Sequence, residues 1–132
     1  MKRVVITGSG PVSAIGIGHE CFTEGLLEGA SGIMEISAFE HGRYGAHLAA
    51  PVEDFDVNEF LPAPKNYLDR NTALSFGAFS LALKSSGLDL SRLDKSGIAL
   101  IWGTAFGGTE TMNLFYSDIQ KKGPRFGKPI LF

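Results

Sequence analysis

The sequence predicts an α/β layered fold, and three observations carry that expectation. Two short, continuous apolar runs, residues 3–7 (Arg-Val-Val-Ile-Thr) and 98–102 (Ile-Ala-Leu-Ile-Trp), read as strands buried on both faces. Around them lie three segments with apolar residues at helical spacing. Glycine supplies 17 of 132 residues, about 13% against a usual ~7%, and falls between the apolar segments as tight connections would.

Taken in order, the first run is β-branched and Gly8 stops it. After a glycine-rich turn, residues 18–28 are expected to be helical. Phe22 and Leu26 share one face, Glu20, Glu24 and Glu28 another, and Gly29 gives a stop, although Gly25 weakens the segment. Residues 33–62 are less regular, with short strands expected near 33–36 and 47–52, then an acidic turn through Asp54 and Asp56. Pro62 and Pro64 punctuate its end. The strongest helix runs from 67 to 86. Leu74, Ala78, Leu81 and Ala82 make one stripe and Phe76, Phe79 and Leu83 a second, so other structure should enclose it. Gly87 ends it. The second strand, 98–102, leads through the turn Gly103–Gly108 into a helix over 110–121, with Met112, Phe115, Tyr116 and Ile119 at helical spacing. The order strand, helix, helix, strand, helix suits layers joined by right-handed crossovers. Two doubly buried strands and an all-round apolar helix need more cover than 132 residues provide, so the chain is expected to be an incomplete domain.

Composition narrows the function. With 12 bases against 14 acids the formal charge is −2, which gives no global field for nucleic acid or anionic lipid. The distribution is uneven: Lys121, Lys122, Arg125 and Lys128 stand without an acid in the last twelve residues, as a small docking patch for an acidic partner would. No apolar run approaches the roughly 18 residues of a membrane span, and Met1-Lys2-Arg3-Val4 already reads as strand, so no secretory signal is expected. A single cysteine, Cys21, excludes an internal disulfide framework and a multi-cysteine zinc site, and suits a reducing cytoplasm.

The chemistry-bearing motifs are sparse. Gly8-Ser9-Gly10-Pro11-Val12-Ser13 follows the first strand where a dinucleotide fingerprint would begin, but Ser13 stands at its third glycine and Pro11 removes a backbone donor. There is no Gly-Lys-Ser/Thr phosphate loop, and no cofactor or metal is expected. Cys21 lies in a helical segment beside Glu20 and Phe22 with no cation to activate it. His19, His41 and His47 show no metal-ligand spacing.

Several segments together resemble the beginning of the β-ketoacyl-acyl-carrier-protein synthases, condensing enzymes of the thiolase-like fold. They are residues 3–10 (Arg-Val-Val-Ile-Thr-Gly-Ser-Gly) with Ser13 and Gly16, and 26–33 (Leu-Leu-Glu-Gly-Ala-Ser-Gly-Ile). Leu68-Asp69-Arg70 then opens the long helix that ends in Ser86-Gly87-Leu88. Gly103-Thr104-Ala105-Phe106-Gly107-Gly108, Gly123-Pro124-Arg125 and Pro129-Ile130-Leu131-Phe132 complete the set. Each piece is short; their shared order over nearly the whole chain carries the likeness.

The resemblance implies a decarboxylative Claisen condensation of acyl and malonyl thioesters, with the acyl group on a cysteine thiolate and two histidines assisting. In the family these groups occupy later segments, so Cys21 is not assigned as the nucleophile, no catalytic residue is assigned here, and the chain alone is expected to be inactive. The resemblance further implies that Phe106 lines the acyl pocket near a dimer interface. It implies that Arg125, with Lys128 close by, meets acyl carrier protein. Lys65 is the one base left in Pro62-Ala63-Pro64-Lys65-Asn66-Tyr67, where many bacterial members carry several. Pairing with itself or another condensing-fold subunit follows from the same likeness. Two alternatives stay open: a non-catalytic partner resembling chain-length factors, and a small nucleotide-binding α/β domain.

Overall fold

The computed structural model describes residues 3–38, 40, 42, 45–65 and 67–128. They form four two-residue strands, three α-helices and three 3-10 turns. Two-residue strands β1 (Val12–Ser13) and β2 (Gly16–Ile17) precede α1 (His19–Glu28). β3 (Met34–Glu35) and β4 (Leu48–Ala49) follow, then α2 (Arg70–Ser86) and α3 (Thr109–Lys122). The chain divides into two compact units, Met1–Asp56 with Gly77–Leu88, and Val57–Phe76 with Asp89–Phe132. No helix among the described residues is long and apolar enough to cross a membrane.

In the first unit the glycine-rich turn is a hairpin. β1 and β2 pair antiparallel, with Val12 opposite Ile17 and Ser13 opposite Gly16. Ser13 closes it: its hydroxyl donates to the Gly16 carbonyl (3.1 Å) and accepts from the Ile15 amide (3.3 Å). The residue that breaks the dinucleotide fingerprint is thus the one that ties this turn. Gly8 and Gly10 lie against α2. A Cβ at Gly8 would stand 2.6 Å from the Ser86 nitrogen, and one at Gly10 2.5 Å from the Ala82 nitrogen, with the Ala82 and Ala78 carbonyl oxygens nearer still. Two residues of extended chain advance about 6.6 Å and four of helix about 6 Å, so Gly8 and Gly10 match the small-residue row Ala78, Ala82, Ser86. These glycines serve helix packing, and α2 fills the face a phosphate would need.

The helix α1 keeps its predicted bounds within one residue. Gly25, which weakens it by propensity, is buried there because the Ile15 carbonyl oxygen would stand 2.5 Å from a Cβ at that position. Gly29, at φ 67°, ends the helix in the left-handed region; its amide donates to Leu26 and the Ala30 amide to Gly25, which satisfies two terminal carbonyls. Leu26, expected on the covered face with Phe22, is exposed. β3 and β4 pair antiparallel with Met34 opposite Ala49 and Glu35 opposite Leu48, inside the two predicted short strands.

In the second unit, Asp69 sets the start of α2 three residues later than the sequence suggests, because its carboxylate caps the helix. A bend at Asp54 and a short 3-10 turn (Val57–Glu59) lie where the acidic turn was expected. Among the described residues, Phe55, from the first unit, and Ala73, from α2, are the buried hydrophobic residues, 8% and 6% exposed. Of the two stripes of α2, Phe79 is exposed and the other members are half-buried, so the enclosure expected of this helix is only partial among the described residues. The connection after α2 turns on Asp89 and Asp94, each accepting the amide and hydroxyl of the serine two residues on.

Two sequence expectations fail. Residues 3–7 and 98–102 join no strand ladder among the described residues, and both are largely exposed, with Ile6 at 93% and Ile101 at 91%. A strand is defined by the neighbour that takes its backbone hydrogen bonds, and neither segment has one there. The pairs that do form are antiparallel ribbons, so no right-handed parallel crossover is seen among the described residues.

Candidate functional site

The candidate site lies within the second unit, where the turn between residues 103 and 108 meets the amino termini of two helices. Asp69 accepts from the Thr72 amide (3.0 Å) on one carboxylate oxygen and from the Thr72 hydroxyl (2.6 Å) on the other. Burial pushes this carboxyl up, but the bonds from Thr72, Asn71 and its own amide outweigh burial and hold it below its usual range.

In the first turn of α2, Asn71 meets a residue distant in sequence. The Thr104 hydroxyl donates to Asn71 Oδ1 (3.3 Å) and accepts from the Gly107 amide (3.0 Å). On the other side, the Phe106 carbonyl accepts from both the amide and the hydroxyl of Thr109. Gly107, at φ 45°, supplies the left-handed step that this turn needs. The peptide that follows Phe106 is therefore bonded at both its carbonyl and its amide, while the Phe106 ring is 84% exposed.

That ring borders a groove of about 640 Å³, within the range of small-molecule sites, shared with Asp69, Met112 and Tyr116. The apolar stripe of α3 is split between two tasks. Phe115 and Ile119 face the returning chain, where a Cβ on Gly127 would stand 2.9 Å from the Phe115 ring. Met112 and Tyr116, four apart, line the groove instead.

The basic residues gather at the far end of α3. Pro124–Phe126 forms a 3-10 turn carrying Arg125, and Lys128 follows two residues after its end. Lys122 pairs with Asp118 at 2.6 Å. That hydrogen bond, with the added fields of Lys122, Lys128 and Lys121, holds the Asp118 carboxyl below its usual range. Lys121, Lys122 and Lys128 thus act on one carboxylate. Among the described residues Arg125, Lys121 and Lys128 make no ion pair, and Arg125 and Lys128 are exposed. Lys65 is exposed ahead of α2 in the same unit, with no hydrogen bond or ion pair joining it to this cluster among the described residues.

The remaining polar candidates stay apart. Cys21 is exposed on α1. The His19 ring meets the Thr23 hydroxyl at 3.5 Å one turn on, and His47 lies beside β4, where its carbonyl accepts from the Ile36 amide. His41 and residues 129–132 lie outside the described residues. No group of three or more metal-ligating side chains occurs among the described residues. The sequence reading missed the cap role of Asp69, for which Asp ahead of an apolar-periodic run was an available signal. It also missed Asn71 and Thr104, whose pairing across 33 residues leaves no local trace.

Comparison with known proteins identifies the frame in which this site sits. The model of the family described as "Beta-ketoacyl synthase, N-terminal domain" matches residues 1–130. The chain belongs to the β-ketoacyl synthase family. Among β-ketoacyl synthases, the 3-oxoacyl-[acyl-carrier-protein] synthase 2 of Staphylococcus aureus (strain COL) is 32% identical over 129 residues, covering 97% of this chain and 31% of that protein. The protein of the same name from Vibrio harveyi is 32% identical over 130 residues, again 97% and 31%. The granaticin polyketide putative β-ketoacyl synthase 2 of Streptomyces violaceoruber is 30% identical over 128 residues, 95% and 31%. The chain therefore spans about a third of the length of these relatives. A solved structure, the ishigamide ketosynthase/chain length factor, superposes with a TM-score of 0.80 at 28% identity, covering 96% of this chain and 32% of that one. The fold is thus α/β of the thiolase-like class, as the resemblance implied.

Proposed function

We propose that residues 1–132 are the opening part of a β-ketoacyl synthase subunit that joins acyl and malonyl units held on acyl carrier protein. In that reaction the acyl group passes from the carrier-protein thioester to a cysteine thiolate, forming a new thioester and releasing the carrier's thiol. Malonyl thioester loses its carboxylate as carbon dioxide, and the enolate carbon attacks the acyl carbonyl. A carbon–carbon bond forms, the carbon–sulfur bond breaks, and the thiolate is regenerated. The nucleophile and both histidines would come from polypeptide outside this segment; Cys21, exposed on α1, has no part in it.

The observation that carries this reading is the family match over residues 1–130, joined to an apolar groove at the motif turn that holds Phe106. In this reading the Phe106 ring limits the length of the acyl tail, because an aromatic there takes space that a smaller aliphatic residue leaves free. Arg125 and Lys128, with Lys65 more distant in sequence, meet the acidic carrier protein and speed its encounter more than they tighten it. The complete subunit works in the cytoplasm as a dimer, with itself or with a second condensing-fold subunit.

A second reading is supported by the structural neighbour, a ketosynthase/chain length factor, and by the polyketide relative. The full-length protein would then be a non-catalytic partner that shapes an active synthase's pocket. One assay separates the two: full-length protein with acyl- and malonyl-carrier protein, products read by mass spectrometry. A 3-oxoacyl product from the protein alone is expected. Product only after adding an active synthase homologue would establish the partner role, and none in either case would remove both.

A further inference from the structure

We infer that Asn71 and Thr104 are positioning residues that set how far the Phe106 ring yields to an acyl tail. The inference rests on the reading of Phe106 as a wall of the acyl pocket, and it deepens that reading by naming what holds the wall. The Thr104 hydroxyl uses both of its capacities on structure. It donates to Asn71 Oδ1, which is anchored on the first turn of α2, and it accepts from the Gly107 amide immediately after Phe106. The Thr109 side chain bonds the Phe106 carbonyl from the α3 side.

The ring itself borders the groove and is mostly exposed, so side-chain packing within the chain does not fix its position. What fixes it is the backbone, and the Thr104 hydroxyl ties that backbone to α2. Asp69, next along the same helix start, is held by Thr72 and keeps the anchor rigid. A tail long enough to press on the ring must displace the turn against the Thr104–Asn71 bond. Removing that bond lets the ring give way, and the ratio of long-chain to short-chain turnover rises.

The test uses the full-length enzyme and compares kcat/KM for a long and a short acyl-carrier protein. Thr104→Val removes the hydroxyl with little change of shape, Thr104→Ser keeps it, and Asn71→Ala removes the acceptor. Thr104→Val and Asn71→Ala are expected to raise the long-to-short ratio about threefold to tenfold, the worth of one hydrogen bond. Thr104→Ser should restore the parent ratio. In a Phe106→Ala background, which raises the ratio by itself, neither substitution should add to it. A merely structural role would lower both rates together and leave their ratio alone. An unchanged ratio in Thr104→Val and Asn71→Ala, with a raised one in Phe106→Ala, would overturn the tether and spare the pocket. An unchanged ratio in Phe106→Ala would overturn the pocket reading and this inference with it.

Discussion

Gly8 and Gly10 show how one residue type can suggest one chemistry and perform another. A Gly-x-Gly after an apolar run reads as a possible phosphate cradle, yet the space above both residues is taken by α2 backbone. What decides is the partner facing the glycine, and the sequence hints at it only through the small residues Ala78, Ala82 and Ser86 at helical spacing. Gly10→Ala would set a Cβ 2.5 Å from the Ala82 nitrogen, so chain or helix must shift. The expected loss is about 1–3 kcal/mol, the usual effect of overpacking. Gly97→Ala, with nothing within 4 Å of the new atom, should cost under about 0.5 kcal/mol. Denaturant unfolding of the full-length protein reads both, and equal losses would show that close approach is not why Gly10 is glycine.

The same contrast separates elements that were legible from elements that were not. The three helices follow from apolar spacing and Gly29 and Gly87, because a helix closes its hydrogen bonds within itself. The start of α2 depends on a side chain: Asp69 takes two bonds from Thr72, and its carboxyl is held low because the charged form accepts them. A carboxyl whose folded pKa lies below its unfolded value near 3.8 contributes fully above that value, and the contribution fades as pH falls through the folded one. Asp69→Ala should therefore lower stability by about 1 kcal/mol at pH 7, the usual worth of a cap. The gap between parent and variant should narrow below pH 4. A gap independent of pH, in denaturant titrations at matched ionic strength, would mean that the side chain acts through packing. Strands were harder to read. The ribbons β1–β2 and β3–β4 are two residues long and set by turns and partners, below the length at which alternation shows. The candidate groove was half legible: Phe106, Met112 and Tyr116 stood out as a motif residue and a helical stripe, while the Asn71–Thr104 bond arises only when α2 and the 103–108 turn meet.

Across the whole molecule, the mismatch between pattern and exposure is itself informative. Residues 3–7 and 98–102 have the composition of strands covered on both faces, yet Val4, Ile6, Leu100 and Ile101 are all exposed. Leu27, Phe106 and Tyr116 add to the exposed apolar surface, and no side chain among the described residues is fully buried. Scattered exposed leucines are ordinary, but consecutive β-branched residues without a hydrogen-bonded neighbour are a template for pairing with another strand. The chain spans about a third of the relatives it matches, and in the proposed reading the remaining polypeptide supplies that neighbour. Residues 1–132 expressed alone should then bind a hydrophobic dye, associate as concentration rises, and lose helix without a single cooperative transition. Fluorescence of Trp102, on one of the exposed runs, reports loss of local structure while circular dichroism follows α1 to α3. Coincident, sharp transitions of a monomer by both probes would mean that these segments need no outside strand, and the assignment to the opening part of a larger synthase would lose its physical support.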